Sequence, residues 1–167
     1  MFRALKNLFR NGDTKRIILS NVQRNDGVVY GATAAQMRMG SNARQTRDVD
    51  AFVRNPRRVA QQTEKQLDSN WGSDQFYNKQ AKHKGTWKVK DKGFDGKMGT
   101  DDDKTVADFS PMTKPAPRTS VIGGMKVVEL SHVKQTKSKS LENNKFKYRH
   151  PKDREDVDRI NFFNRRI

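Results

Sequence analysis

The segment DVDAFV at residues 48–53 places two aspartates two positions apart among apolar residues. Successive side chains of a β-strand point to opposite faces, so Asp48 and Asp50 would share one face while the apolar side chains fill the other. Two carboxylates on one face repel each other unless a divalent cation or a basic group binds them, or water solvates them. The pattern therefore predicts a strand with one buried face, whose acidic face is either a solvated surface or a cation site.

A small hydrophobic core is expected, because only 32% of the 167 residues are hydrophobic and another 32% are charged. Such a composition is typical of one modest domain with long loops and polar terminal segments. In the N-terminal segment, apolar residues recur at helical spacing between basic residues. We therefore predict a basic amphipathic helix at 1–12, one domain at 13–163 and a basic tail at 164–167.

Positive charge dominates the chain, with 35 Lys and Arg residues against 19 acidic ones and a formal net charge of +16. Self-repulsion on that scale favours a polyanionic partner, with nucleic acid as the first candidate and an anionic membrane surface as the second. No apolar run approaches the roughly 20 residues that span a bilayer. The sequence thus favours a soluble, cytoplasmic protein, with a virion as the alternative location.

Any bound metal ion is expected to have oxygen ligands. The chain has no cysteine, which excludes disulfides and thiolate zinc sites. Its three histidines, His83, His132 and His150, are too scattered to show the spacing of a histidine metal site. Carboxylates are therefore the candidate ligands.

A strand, a glycine turn and a helix are predicted one after another at residues 28–39. The apolar VVY at 28–30 indicates a buried strand, Gly31-Ala32-Thr33 indicates a turn, and 34–39 indicates a helix. Free N–H groups at a helix N-terminus can bind a phosphate group. Close packing of the helix on the strand would explain the small residues equally well.

Other elements are predicted from capping, turn and alternation signals. A break at Gly12 is expected to separate the N-terminal helix from a second one that Asp13 or Thr14 caps. Asp108 lies on a second predicted apolar strand, 105–109. The further expected elements are a helix starting at Asn55-Pro56, short strands within 68–104, a strand at 121–130 interrupted at Gly123-Gly124, a helix capped by Ser131, and a last helix at 151–160.

The most basic stretch of the chain covers residues 132–149, where two aromatic residues accompany the cations. Its positive side chains are candidates for contacts with nucleic-acid phosphates, and a solvated helix face is the alternative interpretation. The candidate nucleic-acid-binding residues are Lys134, Lys139, Lys145, Lys147 and Arg149.

The order of these parts resembles the nucleotidyltransferase superfamily related to DNA polymerase beta, most closely its small AbiEii-like toxins. That family has a strand, Gly-Gly-Ser/Thr and a helix, followed by Arg-x-Ser/Thr-x-Asp-hydrophobic-Asp on a second strand. Residues 31–33 (GAT) and 44–50 (RQTRDVD) are similar to these motifs, and Asp108 matches a third carboxylate on a later strand. Lys137 and residues 152–156 (KDRED) are similar to the helix lysine and the Lys-Asp-x-x-Asp helix of the toxins.

The resemblance implies an α+β fold in which helices flank a small mixed β-sheet. It also implies that Asp48, Asp50 and Asp108 are the catalytic carboxylates, that they hold two Mg²⁺ ions, and that a nucleoside triphosphate is the substrate. Asp108 would also serve as general base. The residues implied to bind the nucleotide are Gly31, Thr33, Arg47 and Lys137.

Two functions are compatible with these residues. The first is metal-dependent transfer of a nucleoside monophosphate to a hydroxyl of RNA or protein, with RNA favoured by the charge; an antitoxin-regulated toxin is one setting for it. The second is a catalytically idle nucleotidyltransferase-like fold that serves as a basic structural or nucleic-acid-binding component of a larger assembly, such as a virion. Ala32 supports the second, because it adds a methyl group where the family pattern has a glycine.

Overall fold

The computed structural model describes the backbone of residues 2–166 and the side chains of residues 12–166. These residues form five α-helices and seven β-strands, in parallel and antiparallel pairs, which confirms the expected α+β class. The helices are α1 (Phe2–Arg24), α2 (Gly31–Met39), α3 (Pro56–Trp71), α4 (Leu130–Glu142) and α5 (His150–Asn164). The strands are β1 (Val28–Tyr30), β2 (Val49–Val53), β3 (Phe76–Gln80), β4 (Trp87–Asp91), β5 (Lys104–Pro111), β6 (Thr119–Ile122) and β7 (Met125–Val128).

The chain forms two compact units, each built from helices and strands. The first unit comprises Met1–Gly27 and Arg47–Met112, and the second comprises Val28–Thr46 and Thr113–Ile167. The expected division into an N-terminal segment at 1–12, a domain at 13–163 and a basic tail at 164–167 stays a prediction.

In the first unit the strands lie in the order β3-β4-β5-β2. β5 pairs in parallel with β2 and antiparallel with β4, and β4 pairs antiparallel with β3. Helices α1 and α3 pack against each other and against these strands. The interior of the unit includes fully buried Ile18, Val22, Leu67, Val89 and Phe109.

In the second unit the strands lie in the order β1-β7-β6, with β1 parallel to β7 and β6 antiparallel to it. The predicted interruption at Gly123-Gly124 is confirmed, since both glycines have positive φ angles, 55° and 78°, in the turn between β6 and β7. Helices α2, α4 and α5 pack against one another. Val127, Val133 and Ile160 are among the buried residues of this unit.

The predicted helix break at Gly12 is wrong, because α1 runs without interruption from Phe2 to Arg24. Gly12 is exposed, so its cost to the helix is its low helix propensity, about 1 kcal/mol relative to alanine. Ile17 and Ile18 in the following turns are buried. Each buried side chain of this size stabilises the fold by roughly 1.5–3 kcal/mol, which outweighs the cost of the glycine.

Helix capping agrees with the sequence at α3 and differs from it at α4. The side chain of Asn55 accepts a hydrogen bond from the backbone N–H of Arg58, with Pro56 at the first helical position, as predicted. Helix α4 begins at Leu130 with Glu129 at the cap position. Ser131 therefore lies inside the first turn instead of capping the helix.

Candidate active site

Asp50 and Asp108 lie side by side on neighbouring parallel strands of the first unit. Their Cα atoms are register partners in the pair formed by β2 and β5, so their side chains leave the same face of the sheet. Asp48 directly precedes β2, which begins at Val49. All three aspartates are partly exposed. The structure thus places the three predicted carboxylates on, or directly before, two neighbouring strands.

Buried apolar residues hold these carboxylates on one face. Val49 and Ala51, on either side of Asp50, are both 0% exposed, and so are Ala107 and Phe109 on either side of Asp108. Such alternation of buried and exposed residues is the pattern of a strand with one face in the core. The predicted alternation is therefore confirmed around Asp50, whereas Phe52, farther along the same strand, is buried as well.

Asp108 forms an ion pair with Lys88, a residue that the sequence analysis did not single out. Lys88 lies on β4 as the antiparallel register partner of Asp108, and its Nζ is 3.2 Å from Oδ2 of that carboxylate. The neighbouring Val89 is fully buried, which leaves Lys88 on the acidic face. Alternation in residues 87–89 indicates a strand, but it does not indicate which strand it pairs with.

Two more cations accompany Asp48. Burial lowers the pKa of Lys15, on α1, and the negative charge of Asp48 opposes that shift. Arg47 is the residue before Asp48 and is exposed. Lys15 therefore compensates part of the negative charge of Asp48.

The donor chemistry of Asp48, Asp50 and Asp108 fits a hard cation, since Mg²⁺ prefers oxygen ligands. Within residues 12–166, however, no three His, Cys, Asp or Glu side chains are gathered so that they could hold a metal ion. The ammonium group of Lys88 also balances the charge of Asp108. The metal-binding role of these aspartates therefore stays a prediction.

The separate turn predicted at residues 31–33 is wrong, because these residues form the first turn of helix α2 in the second unit. Helix α2 begins at Gly31, directly after β1, and the φ of Gly31 is 65°, in the left-handed region that favours glycine. Gly31 is partly exposed, whereas Ala32 and Thr33 are only 4% and 0% exposed. Of these three residues, Gly31 is the one that a ligand can reach without a change in the structure.

Lys137 lies in a buried charge cluster of the second unit, which also contains Arg44, Asp153 and Asp156. Its Nζ is 2.8 Å from Oδ1 of Asp153 and 3.1 Å from Oδ2 of Asp156. Arg44 donates to both carboxylate oxygens of Asp156, at 3.0 and 3.3 Å. The cluster thus joins α4 and α5 to the segment that follows α2. It brings Lys137 into contact with two aspartates of residues 152–156, the other segment that is similar to the toxins.

Within the buried charge cluster, Asp153 favours its ionised form. Burial by itself would raise the pKa of Asp153, but hydrogen bonds from Lys137 and from Ser140 outweigh burial and hold this pKa below its ordinary value. Lys137 would have to leave at least one carboxylate in order to bind a nucleotide phosphate. Its role in nucleotide binding stays a prediction.

The five predicted nucleic-acid contacts are all exposed. They lie on α4 and on a short 3-10 helix, Asn144–Arg149, in the second unit: Lys134, Lys139, Lys145, Lys147 and Arg149. Tyr148, in the same short helix, is 79% exposed. In the part of the chain that the structure describes, no helix has both the length and the apolar character to cross a bilayer.

The fold of this chain is that of the nucleotidyltransferases. One similar structure is the Megavirus polyadenylate synthase, with a TM-score of 0.68 and 15% sequence identity, over 90% of this chain and 30% of that chain. Another is a Helicobacter pylori protein described as a nucleotidyltransferase, with a TM-score of 0.52 and 16% identity, over 77% of this chain and 56% of that one. The Helicobacter pylori protein JHP933 gives a TM-score of 0.50 and 16% identity, over 83% of this chain and 58% of that one.

The chain therefore spans between 30% and 58% of the length of these three structures. Comparison of the sequence with family models and with curated proteins gives no match. At 15–16% identity the likeness concerns the fold. A shared fold does not determine the reaction, because one fold can carry many unrelated functions.

Proposed function

We propose that the chain is a metal-dependent nucleotidyltransferase, which moves a nucleoside monophosphate from a triphosphate to a hydroxyl group of RNA. The observation that supports this most is the register pairing of Asp50 with Asp108, with Asp48 two residues before Asp50. A nucleotidyltransferase fold with this arrangement presents carboxylates from two neighbouring strands to one substrate.

Each carboxylate has its own role in the proposed reaction. Asp48 and Asp50 hold Mg²⁺ through their oxygen atoms, and Asp108 accepts the proton of the attacking hydroxyl group. The hydroxyl oxygen forms a bond to the α-phosphorus while the bond from that phosphorus to the pyrophosphate oxygen breaks. The chemistry that Mg²⁺ supplies when bound is charge stabilisation on the triphosphate and a lower pKa of the attacking hydroxyl group.

Four residues contribute to phosphate binding in this proposal. Arg47 is exposed next to Asp48 in the chain and serves as one phosphate contact. Gly31, at the beginning of α2, supplies a backbone N–H group at the positive end of the helix dipole. Thr33 and Lys137, which are buried in this structure, contact phosphate only after a local rearrangement.

RNA is the proposed acceptor because the chain carries a formal net charge of +16 and its exposed cations cluster on α4 and on the short helix that follows it. Phosphate contacts from lysine and arginine supply most of the affinity of non-specific nucleic-acid binding. The polyadenylate synthase among the similar structures also supports an RNA end as acceptor. A protein hydroxyl is the alternative acceptor.

Isothermal titration of each nucleoside triphosphate, with and without Mg²⁺, tests the nucleotide site. We expect binding that requires both Mg²⁺ and the carboxylate of Asp50, so that Asp50→Asn lowers affinity at least 10-fold. Asp158→Asn, at an exposed position on α5, is the matched control and should bind as the unmodified chain does. Nucleotide binding that is independent of Mg²⁺ and unchanged in Asp50→Asn would contradict the proposal of a metal-dependent nucleotidyltransferase.

A second function is favoured by the ion pair between Lys88 and Asp108. In that case the fold is catalytically idle and serves as a basic component of a larger assembly, such as a virion, with RNA bound through the cations of α4. The same titration separates the two functions, because an idle component binds RNA and does not bind nucleoside triphosphates.

A further inference from the structure

A row of four charged residues crosses the acidic face of the first unit. Asp50 on β2 is the register partner of Asp108 on β5, which is the partner of Lys88 on β4. Lys88 is in turn the partner of Lys79 on β3. The side chains of register partners lie on the same face of a sheet, so the row consists of two carboxylates followed by two ammonium groups.

The position of the Lys88 side chain follows from its two neighbours in this row. Lys79, on one side, carries the same charge and is exposed. Asp108, on the other side, carries the opposite charge, and its Oδ2 lies 3.2 Å from Nζ of Lys88. The side chains of Lys88 and Asp108 are 33% and 20% exposed, so water screens their attraction only in part. The backbone register and the charges therefore both direct Lys88 to Asp108.

We infer that Lys88 is a fixed cation on the third carboxylate, so that the active site holds one divalent cation instead of the two that the family resemblance implies. This inference rests on the proposed function. Mg²⁺ binds carboxylate oxygens at about 2.0–2.1 Å and requires near-octahedral geometry. An ammonium group 3.2 Å from Oδ2 of Asp108 repels a metal ion at that oxygen.

The remaining carboxylates, Asp48 and Asp50, are the ligands for the single cation. They come from one strand and the residue directly before it, and neither forms the Lys88 ion pair. Lys88 then provides at Asp108 the positive charge that a second metal ion would provide there. Because its charge is covalently attached, this part of the site does not depend on the metal concentration.

Counting bound Mn²⁺ tests the inference. The folded chain is saturated with a non-hydrolysable nucleoside triphosphate, dialysed against Mn²⁺, and measured by electron paramagnetic resonance. With the Mn²⁺ on unbound nucleotide subtracted, the unmodified chain with its bound nucleotide should hold one Mn²⁺ in total. Lys88→Met should bind a second one, whose spin couples to the first because paired metal ions in such sites lie about 3.5–4 Å apart.

Lys79→Met is the matched control, since it removes the same charge one strand farther from Asp108. It should bind one Mn²⁺, as the unmodified chain does, and Lys88→Gln is a second variant in case Lys88→Met fails to fold. Two bound ions in the unmodified chain, or one in both Lys88 variants, overturn the inference and leave the proposed function standing. No bound Mn²⁺ in the unmodified chain overturns both.

Discussion

The ammonium group of Lys137 lies 2.8 Å from the carboxylate of Asp153, and both side chains are at least nine-tenths buried. Removal of one partner from a buried ion pair leaves a charge without compensation, and this typically costs 3–5 kcal/mol. We therefore expect Lys137→Met to lower the free energy of unfolding by about 3–5 kcal/mol in urea denaturation. Lys134→Met, on the exposed side of the same helix, should change it by less than about 0.5 kcal/mol.

The result for Lys137 also bears on its predicted contact with the nucleotide. A structural role alone predicts that nucleotide affinity, measured at a temperature where the variant is folded, stays unchanged in Lys137→Met. Lower affinity in the folded variant would instead show that Lys137 also acts on phosphate.

Alkaline pH should destabilise the first unit through Tyr77. Burial, together with the hydrogen bond that Tyr77 donates to the carboxylate of Asp103, raises the pKa of Tyr77 to about 12. The folded state therefore keeps a proton that the unfolded chain loses from pH 10 upward, so this stabilisation is complete below pH 10 and disappears as the pH rises through 12. We expect a loss on the order of 2 kcal/mol between pH 10 and pH 12 in the unmodified chain.

Tyr77→Phe provides the control for this pH effect, because it retains the buried ring and removes the titrating group. Its free energy of unfolding should fall less between pH 10 and pH 12 than that of the unmodified chain. Equal losses in the two proteins would show that Tyr77 is not the group responsible.

Two glycines of the first unit should respond in opposite directions to alanine. A methyl group at Gly27 would lie 2.9 Å from side-chain carbons of Val22 and Val53 and 3.1 Å from the carbonyl oxygen of Phe52. Overpacking of this kind costs about 1–3 kcal/mol, so Gly27→Ala should lower the thermal midpoint. At Gly12 the methyl group meets no atom within 4 Å. Gly12→Ala should therefore stabilise the helix by up to about 1 kcal/mol.

The basic surface of the second unit predicts a specific salt dependence of RNA binding. For single strands, the slope of log affinity against log salt changes by about 0.7 for each phosphate contact. Replacement of Lys145, Lys147 and Arg149 by alanine should reduce the magnitude of this slope by up to about 2. Filter binding of a single-stranded RNA at several salt concentrations measures the slope. An unchanged slope would show that these three residues do not contact the RNA phosphates.

Local patterns in the sequence predicted the parts of the fold that depend on neighbouring residues. Alternation around Asp50 and the Asn55-Pro56 cap are both confirmed, because each depends on residues close in sequence. The Gly12 break was wrong because burial of the next two turns, which depends on contacts distant in sequence, outweighs one glycine. Local signals therefore located the elements but not their tertiary contacts.

The partners of Lys88 and Lys137 could not be predicted from the sequence, because they depend on pairing between distant segments. Lys88 is 20 positions from Asp108 in sequence, and only the register of β4 with β5 brings them together. Lys137 has the basic character of a phosphate contact, yet its partners Asp153 and Asp156 belong to another helix. Neither pair has a signal in local periodicity, because strand order and helix packing decide which charges meet.

The most direct test of the central claim is transfer of labelled nucleoside monophosphate from each of the four α-labelled triphosphates to a single-stranded RNA in Mg²⁺. We predict that the unmodified chain labels the RNA with at least one triphosphate. Asp50→Asn and Asp108→Asn, with unchanged circular dichroism, should lose at least 100-fold in rate, and Asp158→Asn should retain full activity. Label transfer that persists in both Asp50→Asn and Asp108→Asn would contradict the claim that these paired carboxylates carry out the reaction.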